Sequence, residues 1–130
     1  DVFCAKYTHF VLNKCHIADF DSCYIWQGCR KTSYGHICYT YRSNIDGLVT
    51  KIKKTTHSHR LIFACTFRCL YLLDSSFSHV QVSHLCHNSL CANPTHLTLE
   101  SDAENKKRNQ CKKHGICVMA HHPGQEPCIF

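Results

Sequence analysis

Residues 83–97 read SHLCHNSLCANPTHL, with three histidines and two cysteines in fifteen positions. Zinc takes four tetrahedral nitrogen or sulfur ligands, and ligands a few residues apart let a short loop wrap the ion without strain. Four residues separate Cys86 from Cys91 and four more separate Cys91 from His96, so this single loop offers three ligands. The fourth must come from elsewhere. Cys23, which opens the strand-like CYIWQG (23–28), is the first choice because it would tie the loop back onto the domain; Cys29 and Cys38 are substitutes.

The flanks of the loop read as regular structure. HVQVSH (79–84) alternates like a strand, THLTLE (95–100) is a second short strand, and SDAENKKRNQ (101–110) is a helix. Ser101 with Glu104 three residues on makes a capping box at the helix start. The order is strand, long loop, strand, helix. His84 ends the first strand two residues before Cys86, while Asn105 and Asn109 lie one turn apart on the helix. Zinc does not explain these three. A hard cation such as magnesium accepts an amide oxygen and can take phosphate oxygens directly, and a neutral histidine can remove a proton from water. The bland alternative is a satisfied structural histidine beside exposed helix asparagines.

A second group, CKKHGICVMAHHPGQEPC (111–128), places Cys111, Cys117 and Cys128 around three histidines. Either His121 or His122 would complete a Cys3His site, with His114 in reserve. A tail this loop-like has no apolar core of its own, and structural zinc contributes about 10–16 kcal/mol in small peptides, enough to order it. Twelve cysteines and twelve histidines in 130 residues demand an explanation, and disulfides in a secreted protein compete with metal sites in a reduced compartment. Histidines interleaved at ligand spacing favour metal. Cys4, Cys15, Cys29, Cys38, Cys65 and Cys69 remain outside both groups and read mainly as buried thiols.

Upstream, DVFCAKYTHFVLNKCH puts Phe3, Tyr7, Phe10, Val11 and Cys15 at helical spacing, giving an N-terminal helix within 1–20. CYIWQG, SYGHICYTYRS (33–43) and GLVTKIKKTT (47–56), with a turn at NIDG, suggest a three-stranded meander over 22–56. Alternation puts His36, Thr40 and Arg42 on one face of the second strand, and Val49, Lys51 and Lys53 on one face of the third. Such a basic face suits a DNA groove, or is simply solvated. HSHRLIFACTFRCLYLL (57–73) has no glycine or proline and reads as one buried helix carrying Cys65 and Cys69 as core thiols. The formal charge of +6 points to an acidic partner, with nucleic acid leading. No apolar run reaches the roughly 20 residues that span a bilayer, and the start lacks a signal-peptide layout. Length and the lack of a linker suggest one domain over 1–130.

SHLCHNSLCANPTHLTLESDAENKKRNQC (83–111) resembles the core of the His-Cys box homing endonucleases, a branch of the His-Me finger (ββα-metal) nucleases. The resemblance extends weakly to CYIWQG, YGHI and HRLIF. It implies an α+β fold: a ββα-metal core over 79–110, an antiparallel three-stranded DNA-binding sheet, and two structural zinc sites, the second over 111–130. By the same resemblance His84 is the general base and Asn105 the ligand of a single catalytic magnesium. Cys23, Cys86, Cys91 and His96 hold one Zn2+; Cys111, Cys117, Cys128 and a histidine hold the other. The family places that histidine two residues after the middle cysteine, where this chain has Met119, so His121 or His122 takes the role. The family's sheet supplies an arginine to the scissile phosphate, for which Arg42 or Lys51 is offered here, and Arg42, Lys51 and Lys53 form the DNA-binding face.

The expected function is a magnesium-dependent endonuclease acting on double-stranded DNA. Family members are homodimers that exchange a long C-terminal tail; the sequence ends at Phe130, so the expectation is a weaker homodimer or a monomer. A nuclear or cytoplasmic setting fits reduced thiols. Two other readings carry weight: a non-catalytic, zinc-stabilised DNA-binding module resembling the Smad DNA-binding domain, and a disulfide-rich secreted nuclease with the same active site.

Overall fold

The computed structural model describes residues 2–117 and 126–129. Helix α1 (Val2–Asn13) buries Cys4, Tyr7 and Val11, one stripe of a helical face. It is shorter than the aromatic pattern suggested. Phe10 is exposed, and Cys15 leaves the helix for strand β1 (Cys15–Ile17), which pairs antiparallel with β2 (Tyr24–Trp26).

That pairing corrects the expected meander, because CYIWQG is not its first strand. One edge of β2 is taken by β1, and the other meets the loop after His84: the Trp26 N–H donates to the Leu90 carbonyl at 2.9 Å and the Ala92 N–H to the Tyr24 carbonyl at 2.8 Å. The three-stranded sheet consists instead of β3 (Arg30–Lys31), β4 (Tyr34–Ile45) and β5 (Leu48–His57), in that order. β4 and β5 form a long hairpin whose tip, Asp46-Gly47, has φ of 52° and 81°, the primed geometry that matches strand twist. Thr40 faces Lys53 and Arg42 faces Lys51 across the ladder, so Arg42, Lys51 and Lys53 lie exposed on one face with the half-buried Thr40, while Ile37 and Tyr39 turn into the core. Gly35 is fixed by packing: a Cβ there would lie 2.1 Å from Ser58 Oγ and 2.6 Å from Trp26 Cδ1.

The apolar run over 57–73 is also not one helix. His57 closes β5, α2 spans Ser58–Thr66, Arg68 adopts φ 57°, and Leu70–Leu73 forms a 3-10 turn. Arg60 accounts for the reversal. Its guanidinium donates to the carbonyls of Leu72, Phe77 and Val80 at 2.8, 2.9 and 2.6 Å, which draws the returning chain against the helix. Cys65 is buried, and Cys69 packs half-buried beside it.

β6 (Val80–His84) pairs antiparallel with β7 (Leu97–Ser101), and α3 (Asp102–His114) follows directly. Ser101 Oγ accepts the Glu104 N–H at 3.2 Å, the cap the sequence announces, and Gly115 at φ 73° closes the helix. Arg108 on α3 reaches Glu100 on β7 at 2.5 Å, with side chains only 2% and 0% exposed. It also donates to the Glu126 carbonyl and to Cys128 Sγ, so it fastens the C-terminal segment as well. The core lies between α1, α2, Trp26, the inner face of β4 and the Val82–Leu97 side of the β6–β7 pair. Among the described residues the fold is α+β, with three α-helices and antiparallel strand pairs only. No described helix is long and apolar enough to cross a membrane.

Candidate functional site

The loop between β6 and β7 brings three potential ligands to one point, and Cys23, just before β2, is the fourth. Ligand atoms of Cys23, Cys86, Cys91 and His96 all lie within 4.8 Å of one another. Asn93 explains how Cys23 arrives. It is buried, donates from Nδ2 to the carbonyls of Phe20 and Ser22 at 3.3 and 2.7 Å, and accepts from Thr95 at Oδ1, clamping the loop to the segment that leads into Cys23. His96 Nε2 lies 2.9 Å from the Asp21 carbonyl. A carbonyl only accepts, so Nε2 carries the proton and Nδ1, 3.6 Å from both Cys23 Sγ and Cys91 Sγ, is the unprotonated nitrogen a metal needs. Hydrogen bonding to Cys91 together with burial holds the Cys86 thiol well above its ordinary pKa, and burial with the neighbouring Cys86 raises Cys23. Crowded thiols resist ionising together unless a cation compensates them. The donor set therefore fits zinc, with Cys23, Cys86, Cys91 and His96 as its holders.

A second cluster joins Cys111 on α3, Cys117 just beyond it and Cys128 from the C-terminal segment, again within 4.8 Å. Burial pushes the Cys128 thiol up to about 11, with Cys117 and Cys111 adding to the shift. Three converging thiols fit a second zinc. His121 and His122, the expected fourth ligands, lie outside the described residues, and His114 is not part of the cluster.

His84 and Asn105 both line a separate cleft of about 70 Å³, with Tyr34, His87, Ser89, Arg108, Asn109 and Lys112. His84 Nε2 is 3.1 Å from the Cys91 carbonyl, so Nε2 is the donor and Nδ1 the basic nitrogen. Burial pushes the His84 pKa down to about 4, partly opposed by that carbonyl, and the ring is neutral at neutral pH. The rings of His59, at 4.3 Å between centroids, and Tyr34, at 6.2 Å, pack against it. Asn105 is held by Ser83, whose hydroxyl donates to Asn105 Oδ1 at 2.9 Å. An amide oxygen has two lone pairs, so one remains for a ligand. That oxygen on a polar wall fits a hard cation that keeps several of its waters. Arg42, Lys51 and Lys53 stand on the exposed face of the hairpin and do not line this cleft.

Sequence reasoning missed Ser83, Asn93, Arg108 and His59. Asn93 had a local signal, since an asparagine before proline favours turn initiation and tight side-chain to backbone bonding. The roles of the other three depend on partners 8 to 25 residues away or on another element, and no local pattern encodes them.

A comparison with known families supplies an independent observation. The family described as the zinc-binding loop region of homing endonuclease matches residues 21–129, a span that includes both thiol clusters, His84 and Asn105 but not α1.

Proposed function

The chain belongs to the homing endonuclease zinc-binding loop family, and from that premise we propose that it is a metal-dependent endonuclease hydrolysing phosphodiester bonds in double-stranded DNA, with a His-Me finger core formed by β6, β7 and α3. The observation that carries the reading is the cleft itself: a neutral histidine with a free Nδ1 opposite an amide oxygen with a free lone pair, on elements that the zinc loop and the Glu100–Arg108 pair hold in place.

His84 Nδ1 accepts a proton from the attacking water. As the imidazolium forms, the Cys91 carbonyl already holds Nε2–H and stabilises the charge. Asn105 is the magnesium ligand, oriented by Ser83, and that ion when bound would neutralise charge on phosphate oxygens and on the leaving oxygen. The two zinc ions are structural, held by Cys23, Cys86, Cys91 and His96 and by Cys111, Cys117, Cys128 and His121 or His122. Arg42, Lys51 and Lys53 on the outer hairpin face contact the groove and its phosphates. The enzyme acts as a homodimer or as a monomer.

Plasmid cleavage by the zinc-loaded protein with and without added magnesium, comparing wild type with His84→Ala, tests base, cofactor and reaction together. The expected result is cleavage only by wild type with magnesium, and a loss of about 10²- to 10⁴-fold in His84→Ala with unchanged zinc content and DNA affinity. A His84→Ala protein that cuts at the wild-type rate removes the base assignment. A wild-type protein that binds DNA and never cuts it replaces this reading with the non-catalytic binding module.

A further inference from the structure

We propose that Lys112 is the cation that contacts the scissile phosphate in this cleft, donating from Nζ to a non-bridging oxygen; the inference rests on the reading of the cleft as a phosphodiesterase site. Attack of water on a phosphodiester, once its proton has passed to the base, adds one negative charge to the one already present. His84 is neutral at the start and contributes no positive charge to the phosphate. A side-chain cation aimed at those oxygens is therefore the missing part of the site, and the sheet does not supply it, because Arg42 and Lys51 do not line the cleft.

Two cations do line it, Arg108 and Lys112. Arg108 is already committed: its side chain is 2% exposed, its guanidinium pairs with Glu100 at 2.5 Å, and its remaining arms donate to the Glu126 carbonyl and to Cys128. Lys112 is exposed and makes no ion pair among the described residues. It follows Asn105 and Asn109 at helical spacing, i, i+4 and i+7, so one face of α3 presents the proposed metal ligand, a second amide and an ammonium to the same space. Its positive charge is also felt at His84, where it disfavours protonation. His57, at the end of β5, is an alternative from the sheet. Burial lowers its pKa, it stacks on His59 and packs tilted against Tyr34, and it does not line the cleft.

A lysine in the last turn of a helix has an ordinary explanation, since it faces the negative end of the helix dipole. Lys113 shares that explanation in full but does not line the cleft, which makes it an internal control.

The test uses the full chain loaded with zinc and compares Lys112→Ala, Lys112→Arg and Lys113→Ala with wild type. Two readouts are taken: single-turnover cleavage at saturating DNA with magnesium, and DNA affinity against salt with magnesium omitted. Lys112→Ala is expected to lose about 10²- to 10³-fold in rate at saturation, as when one preorganised donor to a developing anion is removed. Lys112→Arg should recover most of that, and Lys113→Ala should stay within about twofold. Without magnesium, Lys112→Ala should flatten the salt slope by about one phosphate contact. Lys112→Gln, which keeps the length of a polar side chain, guards against a folding artefact and should match the alanine variant. A Lys112→Ala rate within about threefold of wild type, or an equal loss in Lys113→Ala, overturns the inference while His84→Ala remains inactive and the nuclease reading stands. If wild type itself does not cut, the reading and the inference fall together.

Discussion

Replacing Glu100 with glutamine leaves the Arg108 guanidinium buried without its counter-charge. The side chains are 0% and 2% exposed and 2.5 Å apart, so neither charge has water to fall back on. Breaking a buried pair by removing one partner costs about 3–5 kcal/mol, against at most ~1 kcal/mol for a solvated pair. Glutamine keeps the shape and one acceptor, which puts the expectation near the lower end, about 3 kcal/mol. Urea unfolding at fixed free zinc measures it. With a slope of about 2 kcal/mol per molar for a small protein, the midpoint should fall by roughly 1.5 M at unchanged slope. Holding free zinc constant matters because bound metal adds to apparent stability by mass action. The double variant Glu100→Leu/Arg108→Met should be more stable than the sum of its two single variants by about 2 kcal/mol, since no orphaned charge remains. It should still fall short of wild type, because Arg108 also holds Glu126 and Cys128. A Glu100→Gln cost at or below about 1 kcal/mol, or singles that add within about 0.5 kcal/mol, would refute the claim that this pair fastens α3 to β7.

Cys86→Ala should bind one zinc fewer and melt well below wild type, because structural zinc and folding are coupled; an unchanged melting curve and metal count would remove it from the ligand set. Ser83→Ala should raise the magnesium concentration needed for half-maximal cleavage by about 10- to 100-fold, as expected for a group that orients a metal ligand, with little effect on DNA affinity without magnesium. An unchanged magnesium requirement would leave that hydroxyl with a packing role only. Lys51→Ala should weaken DNA binding about equally across sequences and flatten its salt slope by about one; an unaltered slope places Lys51 outside the contact surface.

The zinc loop was legible because its ligands are neighbours in sequence and thiols with imidazoles at that spacing serve few other ends. The strand, loop, strand, helix order around it was legible for a similar reason, since the Ser101–Glu104 cap is local. Pairing was not. The apolar alternation of CYIWQG specifies an extended segment without saying which edge it joins, and here β1 and the zinc loop claim both edges. The run over 57–73 misled because helix-breaking residues are not the only way to end a helix: Arg60 reaches three carbonyls up to 20 residues away and turns the chain without glycine or proline. The cleft was half legible. His84 and Asn105 stood out by type and spacing, whereas Ser83 and Arg108 have meaning only once β6, β7 and α3 are packed.

Cys91 touches two systems with one residue, its sulfur in the Cys23, Cys86, Cys91 and His96 cluster that fits zinc and its carbonyl on the His84 ring. The consequence is an unequal freedom to vary. Exchanging ligand type at position 86 changes the metal's donor set, and at position 96 it also gives up the bond to the Asp21 carbonyl, but neither touches the His84 ring. At position 91, a longer or shorter ligand moves the peptide plane needed to reach the ion, and with it the atom that decides which imidazole nitrogen is basic. A redesigned metal site could therefore hold its ion firmly, pass every stability assay, and still be silent because one carbonyl had turned away.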